Sequence, residues 1–227
     1  MVQIVHADCM DILRKTPDLA YDICIADPPY GINAGKTCAH NAGGWHAQRK
    51  GFNSSKVQVY KTKKWDKEIP SEEWFSEIKR VSRNQIIFGA NYFPHLLQPS
   101  KGWFFWEKNG VSKNPLFSDG ELAYTSFKTK PLRKFVYPWI GLGYIQNPAK
   151  EKKIHPTQKP VSLYVWIMQT YCTSGDKILD THLGSGSAAI AADMCKMNFF
   201  GIEKDKDYFL GASMRLQQHK NQLSLDF

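Results

Sequence analysis

The 227-residue chain has no run of eighteen apolar residues, so nothing in it reads as a membrane-spanning helix. Its opening, MVQIVHADCMDILRK, lacks the basic, apolar, small-residue order of a secretory signal, and a cytoplasmic location is expected. There is no CxxC pair either. The five cysteines (Cys9, Cys24, Cys38, Cys172, Cys195) are odd in number and widely spread, which argues against both a zinc ribbon and a disulfide framework. Cys38, His40 and His46 are too irregularly spaced for a metal site, and no metal is expected. Acidic residues are missing from 31–65, where Lys36, Arg49, Lys50, Lys56, Lys61, Lys63 and Lys64 stand. Across 128–153 there are seven more cations (Lys128, Lys130, Arg133, Lys134, Lys150, Lys152, Lys153) against the single acid Glu151. These stretches carry +7 and +6 of a net +9, so the rest of the chain is slightly acidic. Basicity so confined suits a face that binds a polyanion. Solvated loops whose lysines serve solubility are the plainer alternative.

What is present is a globular composition, 42% hydrophobic and 22% charged, at a length that suits one core. Short β-branched runs alternate with amphipathic stretches, the signature of an α/β fold with a mainly parallel sheet. Strands are expected at 3–6, 22–27, 85–89, 102–106, 121–126, 177–180 and 198–203. Helices are expected at 11–15, 71–82, from Pro160 to about Cys172, at 187–196 and at 205–219. The helix after Pro160 places Val161, Val165, Met168 and Cys172 on one face. The aromatic run 102–106 reads as core packing rather than ligand stacking. Residues 33–64 are long for a connection and read as a functional or mobile loop, in which Trp45, Phe52 and Tyr60 interleave with cations as in nucleic-acid binders or equally anchor the loop to the domain.

Two segments carry the chemistry. From Asp180 through Thr181, His182, Leu183, Gly184, Ser185 and Gly186 to Ala189 the chain has the spacing GxGxxA between a strand and a helix. Glycines there let backbone approach a ligand, the helix start attracts negative charge, and an acid at the next strand end can accept from ribose hydroxyls. Glu203 is that acid. A nucleoside ligand is favoured over a merely tight turn, but the glycines do not say which nucleoside. The second segment, Asp27-Pro28-Pro29-Tyr30, ends a predicted buried strand, where ligands bind in open α/β sheets. It is far more specific than the glycines.

With these residues the sequence resembles the amino-group DNA methyltransferases that use S-adenosylmethionine, and DPPY is the form typical of adenine-N6 enzymes. The glycine turn resembles the family's cofactor loop, with Thr181-His182 standing in place of the usual Pro-Phe. The segment from His155 through Thr157, Gln158 and Lys159 to Pro160 resembles the one that holds the cofactor's methionine end. Asp8, with Cys9 beside it, resembles the strand end that meets the adenine. The order, DPPY before HPTQKP before the glycine turn, matches the family's permuted β-type arrangement. The resemblance implies one doubly wound, Rossmann-like domain over residues 1–227, with seven strands of which 121–126 is antiparallel.

It also implies that the two basic stretches, 31–65 and 128–153, do the work of DNA binding and target recognition on double-stranded DNA. The settings it allows are restriction–modification, marking of a host genome and a viral role. The implied reaction is direct transfer to a flipped adenine: Asp27 and the Pro28 carbonyl accept the two N6 hydrogens, and Tyr30 stacks on the base. Cytosine N4, an RNA adenine, or a catalytically silent nucleic-acid-binding module remain alternative readings. A nicotinamide oxidoreductase does not account for DPPY, HPTQKP or the basic stretches.

Overall fold

The computed structural model describes residues 1–34, 63–108, 118–139 and 151–223. Among these residues eight strands form one sheet: β1 (Val2–His6), β2 (Tyr21–Ala26), β3 (Ser82–Phe88), β4 (Trp103–Glu107), β5 (Gly120–Thr125), β6 (Arg133–Val136), β7 (Lys177–Asp180) and β8 (Asn198–Glu203). Their order is β1-β8-β7-β2-β3-β5-β4-β6. All pairings are parallel except the two made by β5, which lies antiparallel to β3 and β4. The helices are α1 (Cys9–Leu13), α2 (Glu72–Val81), α3 (Val161–Tyr171), α4 (Ser187–Met194) and α5 (Lys206–Leu223).

The centre of the sheet explains the layering. Strand β2 reads Tyr-Asp-Ile-Cys-Ile-Ala and is buried from Ile23 onward. Ile23 and Ile25 face a core shared with α3, α4 and α5, while Cys24 and Ala26 face a second core with α1 and α2. A strand covered on both faces has no polar side, and its apolar run is therefore unbroken. Helix α2 starts where Ser71 accepts from the Trp74 amide and where Glu72 and Glu73 oppose the positive helix end. It buries Trp74, Phe75, Ile78 and Val81 and passes directly into β3.

The sheet is the doubly wound α/β sheet that the sequence implies, with one antiparallel strand, but it has eight strands rather than seven. The additional one is β6, inside the basic stretch 128–153. Arg-Lys-Phe-Val is short, mostly exposed and lies at the sheet edge beside β4, and charged side chains on an edge strand remove the apolar alternation that marks a strand. The expected face of α3 is also corrected. Leu163, Tyr164, Ile167, Met168 and Tyr171 are the buried residues, and of the four expected only Met168 is among them. This helix is apolar nearly all round, so periodicity does not choose its face. Most of the 31–65 stretch, with Lys36, Arg49, Lys50, Lys56, Lys61, Trp45, Phe52, Tyr60 and the Cys38, His40, His46 group, lies outside the described residues, as does Lys150. Among the described residues, no helix is long and apolar enough to cross a membrane.

The aromatic strand β4 is core, as its sequence suggests: Phe104 and Trp106 are fully buried, and Phe104 meets Phe88, Trp166 and Tyr171. Phe104→Ala should cost about 3–5 kcal/mol, read as a lower urea midpoint with an unchanged slope.

Candidate active site

Strands β2 and β7 lie side by side at mid-sheet, and the chain runs from β2 to β3 on one side and from β7 to β8 on the other. The crevice at their C-terminal ends is the topological switch point of an open α/β sheet. A groove of about 1100 Å³ opens there, lined from the ends of β1, β2, β3, β7 and β8 and by the segment before α3. Every expected site segment reaches it.

The glycine turn follows β7. Gly184 and Gly186 have φ of +55° and +76°, a region costly for residues with a Cβ. At Gly186 space matters as well, because a Cβ would lie 2.9 Å from that of Ala212 on α5. At Gly184 a Cβ would meet nothing closer than 3.9 Å, so only the backbone angle requires glycine. Arg215 of α5 donates to the Ser185 carbonyl at 2.6 Å and pairs with Glu151, which also accepts from the Val161 amide at the start of α3. The turn is thus held from behind. Leu183 points into the core, and Gly186 begins α4 without a side-chain cap.

Carboxylates ring the groove. Glu203 accepts from the amides of Gly184 and Asp205, each at 2.7 Å, which fixes the acid against the turn. Asp180 accepts from the His182 amide, and burial, with Asp27 and Glu203 nearby, raises its carboxyl to about 8. Asp8 caps α1 through the Met10 amide and pairs with Lys204, which holds it below the usual carboxylate range. Cys9 beside it is pushed up to about 12 by burial. Thr181 bonds His182, whose ring stands edge-on to Trp74. Burial also keeps His155 neutral, lowering it to about 3, and its ring lies between Trp65 and Tyr208. Thr157 bonds the His155 Nδ1. The Gln158 amide braces its own loop through Ile154 and Lys152 rather than reaching outward.

The DPPY segment leaves β2 into the same groove. Tyr30 donates its hydroxyl to Asp27 Oδ1 at 2.7 Å and stacks on Tyr92 at 5.1 Å. Lys159, 3% exposed, sits 2.6 Å from Asp27 Oδ2, 3.1 Å from Glu121 and 3.2 Å from the Tyr30 hydroxyl. Burial raises the Asp27 carboxyl and the Lys159 ammonium partly offsets this. Behind the motif, buried Asp66 accepts from the amides of Tyr30, Gly31 and Ala34 and so fixes the backbone after Pro29.

Sequence reasoning missed Glu121, Lys108, Tyr92, Asp66 and Trp65, all of which line this groove. Only Asp66 had a signal, as the first acid after the long acid-free stretch. Lys63, counted with the DNA-binding cations, instead pairs with Asp205 and Asp207 and lies over the Tyr208 ring. In the second stretch Lys153 is buried over Trp139 and Lys130 donates to the Thr170 carbonyl, whereas Lys128, Arg133 and Lys152 are exposed.

Comparison with known proteins bears on the family and the fold. The chain is 25% identical to the type II methyltransferase M.HinfI of Haemophilus influenzae, over 96% of this chain and 68% of that protein. Its fold is similar to that of the M1.HpyAVI–SAM complex, with a TM-score of 0.59 and 24% identity over 95% of this chain and all of that one. It is likewise similar to the PvuII DNA methyltransferase (cytosine-N4-specific), with a TM-score of 0.58 and 12% identity over 96% and 90% of the two chains. Residues 98–214, more than half of the chain, match the family model described as DNA methylase. That match takes in the HPTQKP segment, the glycine turn and Glu203, which the fold gathers around one crevice with DPPY, and the chain therefore belongs to the DNA methylase family.

Proposed function

We propose that this chain transfers a methyl group from S-adenosylmethionine to the N6 of an adenine flipped out of double-stranded DNA. The observation that carries the reading is the meeting of Asp27 and Tyr30 with the glycine turn at one switch point. The donor set fits the cofactor. Asp8, Glu203 and Asp205 line the groove, with Asp180 buried behind the turn, and carboxylates suit a ligand that carries ribose hydroxyls, an ammonium and a sulfonium. The same ring of acids would repel the pyrophosphate of a nicotinamide dinucleotide. Glu203 would hold the ribose, Asp8 and Cys9 would flank the adenine, and the stretch from Asp180 to Gly186 with His155 and Thr157 would hold the methionine end. Bound there, S-adenosylmethionine supplies an electrophilic methyl group.

The chain's own residues prepare the amine. The N6 lone pair of adenine is delocalised into the ring and must be drawn back onto nitrogen before it can attack. Each oxygen of the Asp27 carboxylate has lone pairs beyond those taken by Tyr30 and Lys159, so Asp27 can accept one N6 hydrogen, and the Pro28 carbonyl can accept the other. Tyr30 and Tyr92 stack on each other, and a base stacked on this aromatic pair would gain about 1–3 kcal/mol. Holding amine and methyl in line can contribute as much as ~7–11 kcal/mol, against ~3–5 kcal/mol for a positioned proton transfer, so alignment dominates. Exposed Lys128, Arg133 and Lys152 would contact phosphates while the base is out of the duplex.

Incubation with labelled S-adenosylmethionine and unmethylated genomic DNA, followed by mass analysis of nucleosides, should yield N6-methyladenine. Product should vanish in Asp27→Ala, with cofactor binding weakened but measurable. N4-methylcytosine would overturn the base assignment and keep the mechanism. Bound cofactor without any DNA product would move the search to RNA or to a silent binding role. Replacing Lys128 and Arg133 by glutamine should lower the slope of log affinity against log salt by roughly 0.9 for each phosphate no longer neutralised. An unchanged slope would return both residues to the solvated surface.

A further inference from the structure

Around Asp27, half-buried charges gather on the buried Lys159 and form a chain with no place in the transfer as so far described. Lys108, at the end of β4, meets one oxygen of Glu121, whose other oxygen lies 3.1 Å from the Lys159 ammonium. Lys159 in turn holds Asp27 at 2.6 Å. The charges alternate and sum to zero. An ammonium has three protons, and Asp27, Glu121 and the Tyr30 hydroxyl are three acceptors. Tyr30 also reaches Glu121, at 3.4 Å. The first and last residues of the DPPY motif are thus both fastened to one cation, which Glu121 aims. Remove Glu121, and the ammonium is free to turn about its remaining partners on a flexible stem.

We propose that Glu121 is a positioning residue for methyl transfer: through Lys159 it fixes the Asp27 carboxylate against the target amine. The inference rests on the methyl-transfer reading above. Glu121 is itself a fixed charge. Burial raises its carboxyl, but the ammoniums of Lys108 and Lys159 outweigh this and bring it to about 2. The groups that face Asp27 are Tyr30 in its own loop, Glu121 on β5, Lys159 before α3, Tyr164 on α3 and Asp180 at the end of β7, with Lys108 after β4 standing behind Glu121. Among them Lys159 favours the charged carboxylate and Glu121 opposes it. Removing either partner should therefore misplace Asp27, while the acid limb of the pH–rate profile moves in opposite directions.

The test compares Glu121→Gln, Glu121→Asp, Lys159→Gln and the double glutamine variant with the wild type for kcat, KM for DNA, cofactor affinity and the pH profile. Glu121→Gln should lower kcat by about 10- to 100-fold, as a displacement near 1 Å can, with cofactor affinity and KM within about threefold. Its acid limb should move to lower pH, and that of Lys159→Gln to higher pH. Glu121→Asp keeps the charge and should fall between, with the limb unmoved. The double variant should lose less than the two single losses multiplied, because its partners share one network. Wild-type kcat in Glu121→Gln would overturn the proposal, and so would a lower kcat with an unmoved limb and independent effects in the double variant. If Glu121→Gln fails to fold, undiminished kcat in Glu121→Asp overturns it. A wild-type protein that methylates no DNA would sink the functional reading instead, which separates the two failures.

Discussion

Lys159 carries an ammonium that is 3% exposed, and a charge removed from water can persist only where each of its protons meets an acceptor. That constraint shapes the catalytic end of the molecule. It needs β2 to end in an acid, the Tyr30 hydroxyl to turn back toward that acid, and a second carboxylate to arrive from elsewhere. The second carboxylate comes from β5. Because β5 runs against its neighbours, its first residues stand at the edge where the parallel strands finish. A parallel strand in the same slot would bring its last residues there and leave Glu121 at the far edge.

The groove beside this network has a complementary design. Acids gather at the ends of β1, β2, β7 and β8, yet several are held by backbone amides or by a lysine, which fixes their direction as well as their charge. The histidines of the groove are neutral for lack of solvation, so His155 presents an aromatic face between Trp65 and Tyr208 rather than a charge. Lys63 caps the acidic end at Asp205 and Asp207. The basic stretch thereby contributes to the rim of the groove as well as to the charge of the surface.

Local signals account for much of what the chain discloses before it folds. The two-sided apolar run of β2, the Ser71 cap of α2, the glycines after β7 and the proline pair that follows β2 each depend on residues within a few positions of one another. They were legible because proline, glycine and capping side chains act on the adjacent backbone. Strand β6 and the buried face of α3 were not. One is a charged edge strand and the other an apolar cylinder, and in both cases the neighbours decide which side is covered.

By itself the sequence determined the layered α/β plan, the position of DPPY at a strand end and the pairing of the glycine turn with Glu203. Each of these follows from short-range chemistry along the chain. Only the tertiary structure decided that Asp27, Glu121 and Lys159 share one set of hydrogen bonds, that Asp66 clamps the backbone after Pro29, and that Tyr92 stacks on Tyr30. Those contacts join residues tens of positions apart. Their geometry is set by strand order and strand direction, and no spacing in the sequence encodes either.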